Sequence, residues 1–306
     1  MGSDNVKKFL GVIRAPFLLL TFVCIAITAV LVHVETGNLD AVCLAVVLVA
    51  ALCAHISVNA FNEYLDYRSG LDEQTTKTPF SGGSGVLPMH PEFAPVALWI
   101  GIVSLAITIL CGAYLIYAAG WWLLPTGLLG ILIITSYTQW INKHPVLCLF
   151  APGFAFGPIM VFGSYFALTG TVSCSAFVAS LIPFFLVNNL LLLNQFPDAE
   201  ADKAVGRRHL IITKGPHSSV RIFASFLVFS YVAVILAVFT SVLPAGALLS
   251  LLTVFIAVPL VRGIKRHIGD TPKLVPYLGL NVVLVLSTGA LLALGMFFWD
   301  GAIIYS

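Results

Sequence analysis

The sequence predicts an all-α, polytopic membrane protein with nine transmembrane helices, arranged as two four-helix halves plus a ninth helix. Three observations predict it. The 306 residues are 59% hydrophobic and only 9% charged, where a soluble chain would carry about 25% charged residues. Mean hydropathy is +1.03, so lipid rather than water is the expected solvent. The third is a regular series of apolar runs, each near the roughly 20 residues that a span requires.

Nine such runs fall at about 15–34, 41–62, 94–118, 121–141, 146–168, 175–196, 220–242, 244–262 and 275–299. Pro16, Pro91, Pro95, Pro145 and Pro244 stand near starts, and Gly-containing connections such as ETGN, LTGT and AAG separate neighbours. The six cysteines show no CxxC spacing and lie in or near apolar runs, where Cys behaves as a small hydrophobe. Neither a metal nor a disulfide role is expected of them. The N-terminus shows no small-residue cleavage site after a short apolar core, so no removed signal peptide is expected.

Charge supports the count and orients it. Lys7, Lys8 and Arg14 lie at the N-terminus. Arg68 and Lys77 follow span two, and Lys143 follows span four. Lys203, Arg207, Arg208, Lys214 and Arg221 surround the connection after span six. Arg262, Lys265, Arg266 and Lys273 surround the one after span eight. The alternate side carries only the acids Glu35, Asp40 and Asp300. The positive-inside rule then places the N-terminus and every basic loop in the cytoplasm. Two loops on that side are long, about 63–93 and 197–219, and long loops between tight spans are usually functional.

Each long loop opens on the same signature. Span two ends Asn62-Glu-Tyr-Leu-Asp66, and span six ends Asn194-Gln-Phe-Pro-Asp198. The two lie four spans apart. The chain therefore reads as a single transmembrane domain, 1–306, with pseudo-repeat halves at about 10–141 and 146–262 and a ninth helix at about 275–299. Sites at the interface of such repeats are common in membrane proteins.

Residues three or four apart share a helix face. His55, Asn59, Asn62 and Asp66 thus form one polar stripe, and Asn194, Asp198 and Asp202 form another if the helix continues past Pro197. Solvated loop acids or interhelical hydrogen-bond glue would explain some of these residues, His55 and Asn59 especially. Asn188 and Asn189 fall off that face and suit packing or backbone contacts. Asp66, Asp72, Asp198 and Asp202 are harder to explain so. Two facing acid clusters repel unless something positive lies between them, and oxygen donors suit a hard cation. Mg²⁺ is usually shared between one or two carboxylates and substrate phosphate oxygens. Two Mg²⁺-bearing clusters gripping one polyanion are the inference, with Arg68 and Lys77, then Lys203, Arg207 and Arg208, as counter-charges. The Thr78–Gly85 stretch TPFSGGSG is a mobile lid or a backbone phosphate cradle. A diphosphate site opening among apolar helices implies an amphiphilic substrate. Tyr64, Tyr67, Tyr137, Tyr165 and Phe196 are candidates to shelter a carbocation if its tail is allylic.

With DAEAD at Asp198–Asp202, the NEYLDYRSGLD stretch from Asn62 to Asp72 resembles the motifs of UbiA-type intramembrane prenyltransferases. The resemblance covers nearly the whole chain in span count and motif placement. It implies nine helices around a central cavity, and transfer of an isoprenoid chain from a prenyl diphosphate to a small aromatic acceptor. It implies Mg²⁺ as cofactor, held by Asn62, Asp66, Asp72, Asp198 and Asp202, with Asp66 and Asp198 essential to catalysis. Arg14, Asn62, Arg68, Asp72, Lys77, Tyr137, Lys143, Asn194 and Lys203 would bind substrate. Membrane lipid would surround the chain, and no nucleic-acid partner is expected. The spacing through Gly70 is closer to the menaquinone-pathway branch, making 1,4-dihydroxy-2-naphthoate the first acceptor to test. Glu63 stands where the family usually has Asp. Ser81, Gly82 and Ser84 stand where basic residues are common, and the Tyr137-to-Lys143 step is looser than the family's. Arg14 fits an acceptor carboxylate or a snorkelling interface anchor. A cation-coupled transporter using the acidic clusters is the alternative function. A CDP-alcohol phosphatidyltransferase ranks below it, because the contiguous motif of that class is missing.

Overall fold

The computed structural model describes residues 2–75 and 77–299; Asp300 lies outside the described residues. Thirteen helices are distinguished here. A short amphipathic α1 (Ser3–Val12) turns at Arg14 into α2 (Ala15–Thr36), and α3 (Ala41–Arg68) carries the first motif. The loop after it holds two single-turn helices, α4 (Leu71–Gln74) and α5 (Val86–Met89). Next come α6 (Pro91–Ala119), α7 (Trp121–Ser136), α8 (Pro145–Thr169) and the second motif helix α9 (Cys174–Ala204). The chain continues through α10 (Leu210–Lys214), α11 (Pro216–Phe239), α12 (Ala245–Arg266) and α13 (Thr271–Phe298).

Among the described residues, eight helices are long and apolar enough to cross a membrane, and α7 is a shorter apolar helix. That run, expected over 121–141, stops at Ser136 because residues 137–144 leave the helix in successive turns. At 1.5 Å per residue α7 reaches about 24 Å, short of a hydrocarbon core of about 30 Å. The motif helices err the other way. Helix α3 runs past residue 62 to Arg68, and α9 passes through Pro197 to Ala204. Asp66, Asp198 and Asp202 are therefore helical and project from the ends of apolar rods, while Asp72 follows Gly70 on the single-turn α4.

The helices close into a ring. Each motif helix packs on the helix that follows its loop, α3 on α6 and α9 on α11, and α13 closes the ring against α2. The most interior span is α9, which also touches α8 and α13. Outward-facing side chains are large and apolar, among them Leu110, Phe239 and Phe255. Tyr117, Trp121 and Trp122 are exposed together around the α6–α7 turn, as interfacial aromatic belts are.

Polar groups inside the bundle tie helices together. The Asn188 Oδ1 accepts from the Gly153 N–H at 2.6 Å, and Asn189 Nδ2 donates to the Phe223 carbonyl at 2.9 Å. At the end away from the motifs, Glu35 accepts from Tyr165, Ser173 and Ser175, joining α2, α8 and the start of α9. Asp40 caps α3 through the Val42 and Cys43 N–H groups. Glu35 and Asp40 are thus accounted for by structure.

Helix α8 is π-helical over Ala155–Phe162, which follows Pro152 and contains Pro158; neither proline can donate to the regular ladder. It approaches α9 so closely that a Cβ on Gly153 would sit 2.0 Å from the Phe184 carbonyl oxygen. Gly153→Ala should therefore lower the apparent Tm of the detergent-solubilised protein by roughly 2–8 °C. Gly127→Ala on α7, whose added Cβ meets nothing within 4 Å, should leave Tm unchanged or slightly raised. Equal Tm values for the two variants would contradict this packing.

Candidate active site

The first polar stripe is a ladder of separate contacts. His55 Nδ1 pairs with the Thr21 hydroxyl at 2.9 Å, and its ring meets Phe156 edge-on. One turn on, Asn59 Nδ2 donates to the Ile13 carbonyl at 2.9 Å. Asn62 accepts from Arg14 Nη2 at 3.0 Å and donates to Thr138 at 3.2 Å. His55 and Asn59 thus act as interhelical glue. The turn between α1 and α2 is fastened along this face, with Arg14 held at φ +50°, a region uncommon for a residue with a Cβ.

Glu63, beside the stripe, is fully buried. Its Oε1 accepts from Arg14 Nε and from the Ser84 N–H, each at 2.8 Å, and its Oε2 accepts from the Ser84 hydroxyl at 2.6 Å. Both carboxylate oxygens are committed to one arginine and one loop residue. Glu63 therefore pins the Gly-rich loop to the end of α3, while Lys77 donates to the Ser84 carbonyl within the same loop. The loop then crosses to the second motif, where the Gly82 N–H donates to Asp198 Oδ2 at 3.1 Å. Gly82 and Gly83 take φ of +76° and +70°, and a Cβ on Gly83 would lie 2.9 Å from Asp72 Oδ1. The positive φ values favour glycine at both positions.

These elements enclose a polar cavity of about 100 Å³. Asp66 and Asp72 enter it from the first motif and Asp198 and Asp202 from the second. Arg14, Asn62, Asn194 and Tyr137 line it as well. On α9 the expected face forms, because the helix does continue past Pro197. Arg207 joins the two halves: Nη2 pairs with Asp66 Oδ1, and Nη1 lies 2.8 Å from Asp202 Oδ1. The other Asp202 oxygen is 3.0 Å from His209 Nε2. Burial, with the charges of Glu63 and Asp66, raises Asp72 to about 7.

Other basic residues point elsewhere. Arg68 and Lys203 are exposed and do not line the cavity; on a 3.6-residue period, two steps from Asp66 or one from Asp202 turns a side chain well off the acid face. Lys77 is spent on its own loop. Lys143 borders a separate hollow with His144 and Arg208. Among the aromatic candidates Tyr137 lines the cavity, Tyr165 bonds Glu35 near the opposite end, and Tyr64 and Tyr67 pack beside Val12 and Ala60. Phe196 packs against the main apolar core. Phe80, Asn142 and His209 line the cavity without having been expected there. All three lie outside the regular spans, where helix spacing gives no signal.

The donor set suits a hard cation. Among the described residues, Asp72 Oδ2, Asn194 Oδ1 and Asp198 Oδ1 are buried without a hydrogen-bond partner, and all three residues line this cavity. Buried carboxylate and amide oxygens rarely go unpaired, and Mg²⁺ and Ca²⁺ prefer such oxygens. No three acid, His or Cys side chains already converge as a ligand group among the described residues. Arg207 has drawn Asp66 and Asp202 to itself instead.

Known proteins resemble this chain in sequence and fold. The UbiA prenyltransferase family model matches residues 20–276. A 1,4-dihydroxy-2-naphthoate octaprenyltransferase of Bacillus subtilis is 31% identical over 215 residues. The match covers 69% of this chain and 66% of the relative, so the chain spans about two thirds of that protein. A 2-carboxy-1,4-naphthoquinone phytyltransferase of Synechocystis is 20% identical over 87% of this chain and 85% of its own length. Among solved structures, a UbiA homologue from Aeropyrum pernix superposes with a TM-score of 0.70 at 18% identity, covering 92% of this chain and 98% of that one. A homologue from Archaeoglobus fulgidus bound to GPP and Mg²⁺ gives 0.65 at 14% identity, covering 93% and 99%.

The Glu63 pin has a measurable consequence. Glu63→Gln removes the charge from an oxygen that holds both Arg14 and the Ser84 N–H. Hydrogen exchange of residues 78–86 should accelerate by about 5-fold or more, with the helical spans unchanged. An unaltered loop exchange rate would contradict the pin.

Proposed function

This chain belongs to the UbiA prenyltransferase family, and on that footing we propose that it transfers an isoprenoid chain from a prenyl diphosphate to an aromatic acceptor, with Mg²⁺ as cofactor. The observation carrying this reading is the pairing of the two motifs in one cavity, with three buried oxygens on Asp72, Asn194 and Asp198 left without partners. Relatives that act on naphthoate or naphthoquinone substrates support 1,4-dihydroxy-2-naphthoate as the acceptor. The basic residues gathered at the motif end support a cytoplasmic active site.

In this reading Asp66, Asp72, Asp198 and Asp202, with the Asn62 and Asn194 amides, would hold the divalent ions at the diphosphate end of the cavity. A bound Mg²⁺ supplies Lewis-acid stabilisation to the departing diphosphate. The chain's residues do the rest. Arg14, tied to Asn62 and Glu63, presents fixed positive charge at the cavity wall. Gly82 and Gly83 bring loop backbone over the anion, and the Glu63–Ser84 contacts hold that loop shut against water. Tyr137 and Phe80 offer aromatic faces to the allylic cation that diphosphate departure leaves, before the electron-rich ring attacks it. The isoprenoid tail lies among the apolar helices. The acids stand at one end of α3 and α9, beside long loops, rather than midway along a span. That placement favours this chemistry over an ion-coupled transporter.

The experiment is a panel of aromatic acceptors offered with one radiolabelled prenyl diphosphate and Mg²⁺. The naphthoate should be prenylated, and Asp66→Ala and Asp198→Ala should each lower product by at least about 100-fold while eluting as folded protein. Full activity in either variant would remove the assignment. An inert naphthoate beside another productive acceptor would remove only the choice of acceptor.

A further inference from the structure

Arg207 has an unusual position. Its guanidinium bridges one acid from each motif, Asp66 and Asp202, across 141 residues of chain. These are two of the carboxylates assigned above to the divalent ions. A carboxylate oxygen that accepts from an arginine cannot also give its full charge to a metal. The side chain is long, and its backbone is fixed: the Arg207 N–H donates to the Asp202 carbonyl at 2.9 Å, and the Arg208 N–H donates to the Asn142 carbonyl at 3.0 Å. With the backbone anchored, any change of partner by Arg207 has to come from its long side chain.

The geometry therefore points to competition: we propose that Arg207 and a divalent cation compete for Asp66 and Asp202, and that prenyl diphosphate resolves the competition by drawing the guanidinium onto its own oxygens. The chemistry favours that transfer. An arginine fork matches phosphate oxygens in two parallel charge-assisted bonds. A diphosphate also brings the oxygens that Mg²⁺ needs to complete its six ligands. Once Arg207 leaves, Asp66 and Asp202 join the unpartnered oxygens of Asp72, Asn194 and Asp198 around the ions. Asp202 stays oriented throughout, since His209 holds its second oxygen. Metal and diphosphate then bind as a coupled pair, each tightening the other by the same factor. Arg207 contributes in both arrangements. It neutralises two buried acids in one and part of the diphosphate charge in the other.

This inference rests on the prenyl diphosphate reading, and the test separates the two. Binding of Mn²⁺, a spectroscopic stand-in for Mg²⁺, is measured by electron paramagnetic resonance on the full chain in detergent. Titrations are run with and without geranyl diphosphate, and with no acceptor. The unaltered protein should bind Mn²⁺ weakly alone and about 10- to 100-fold more tightly with the diphosphate. Arg207→Gln should bind Mn²⁺ more tightly alone, and the coupling should shrink to a few-fold. Arg207→Lys keeps the charge but reaches one carboxylate at a time, so it should fall between the two and serves if the glutamine variant does not fold. Mn²⁺ affinity and coupling unchanged in these variants would overturn the role of Arg207 while leaving the site. Mn²⁺ binding that neither responds to diphosphate nor weakens in Asp66→Asn and Asp198→Asn would overturn the site itself.

Discussion

Four aspartates gathered at one end of an apolar helix bundle repel one another, and the Asp66–Arg207–Asp202 bridge is what holds them together. One acid comes from each half of the chain, and a single guanidinium serves both. Burying like charges without a counter-ion is among the costliest arrangements a fold can adopt. The rest of the motif end is arranged around that constraint. Helix α9 must run past Pro197 to bring Asp202 within reach of Arg207. His209 then fastens the second loop to Asp202, and the Arg208 N–H, donating to the Asn142 carbonyl, knits that loop to the turn after α7.

The acids of the chain divide by their partners. Glu35, Asp40 and Glu63 have their oxygens occupied by hydroxyls, helix N–H groups or an arginine, and each fixes a local geometry. Asp72 and Asp198 each keep a buried oxygen unpaired. Conformational order is thus supplied by one set, and the unpaired oxygens belong to the other. Glu63 is the instructive member. It occupies a motif position and carries a motif charge, yet its bonds make it the fastening of the Gly-rich loop. That loop in turn delivers the Gly82 N–H to Asp198, so the first motif helps shape the second.

The sequence made most of the fold legible because its signals are local. Apolar run length, proline punctuation and the alternation of basic loops gave the spans; α7 fell short where polar residues from Tyr137 onward turn the chain out of its helix. The pairing of the two motifs was legible from their repeat, and the acid faces followed from helical spacing. The same spacing turns Arg68 and Lys203 away from the site despite their nearness in sequence. Direction outside helices was not legible. Arg207 and His209 reach the site from a loop whose path no periodicity describes. Asn62 and Asn194 occupy equivalent motif positions, yet only Asn62 is engaged by an arginine. That difference depends on the α1–α2 turn at Arg14, a contact 48 residues distant in sequence.

If both motifs grip one diphosphate, an anomalous-scattering structure of the chain with Mn²⁺ and an unreactive prenyl thiolodiphosphate will show it. Manganese peaks should stand beside the Asp66–Asp72 pair and beside the Asp198–Asp202 pair. The diphosphate should lie between them, and the tail should run into the helix ring. A diphosphate held by one motif alone, or on the surface near Lys143 and Arg208, would contradict it.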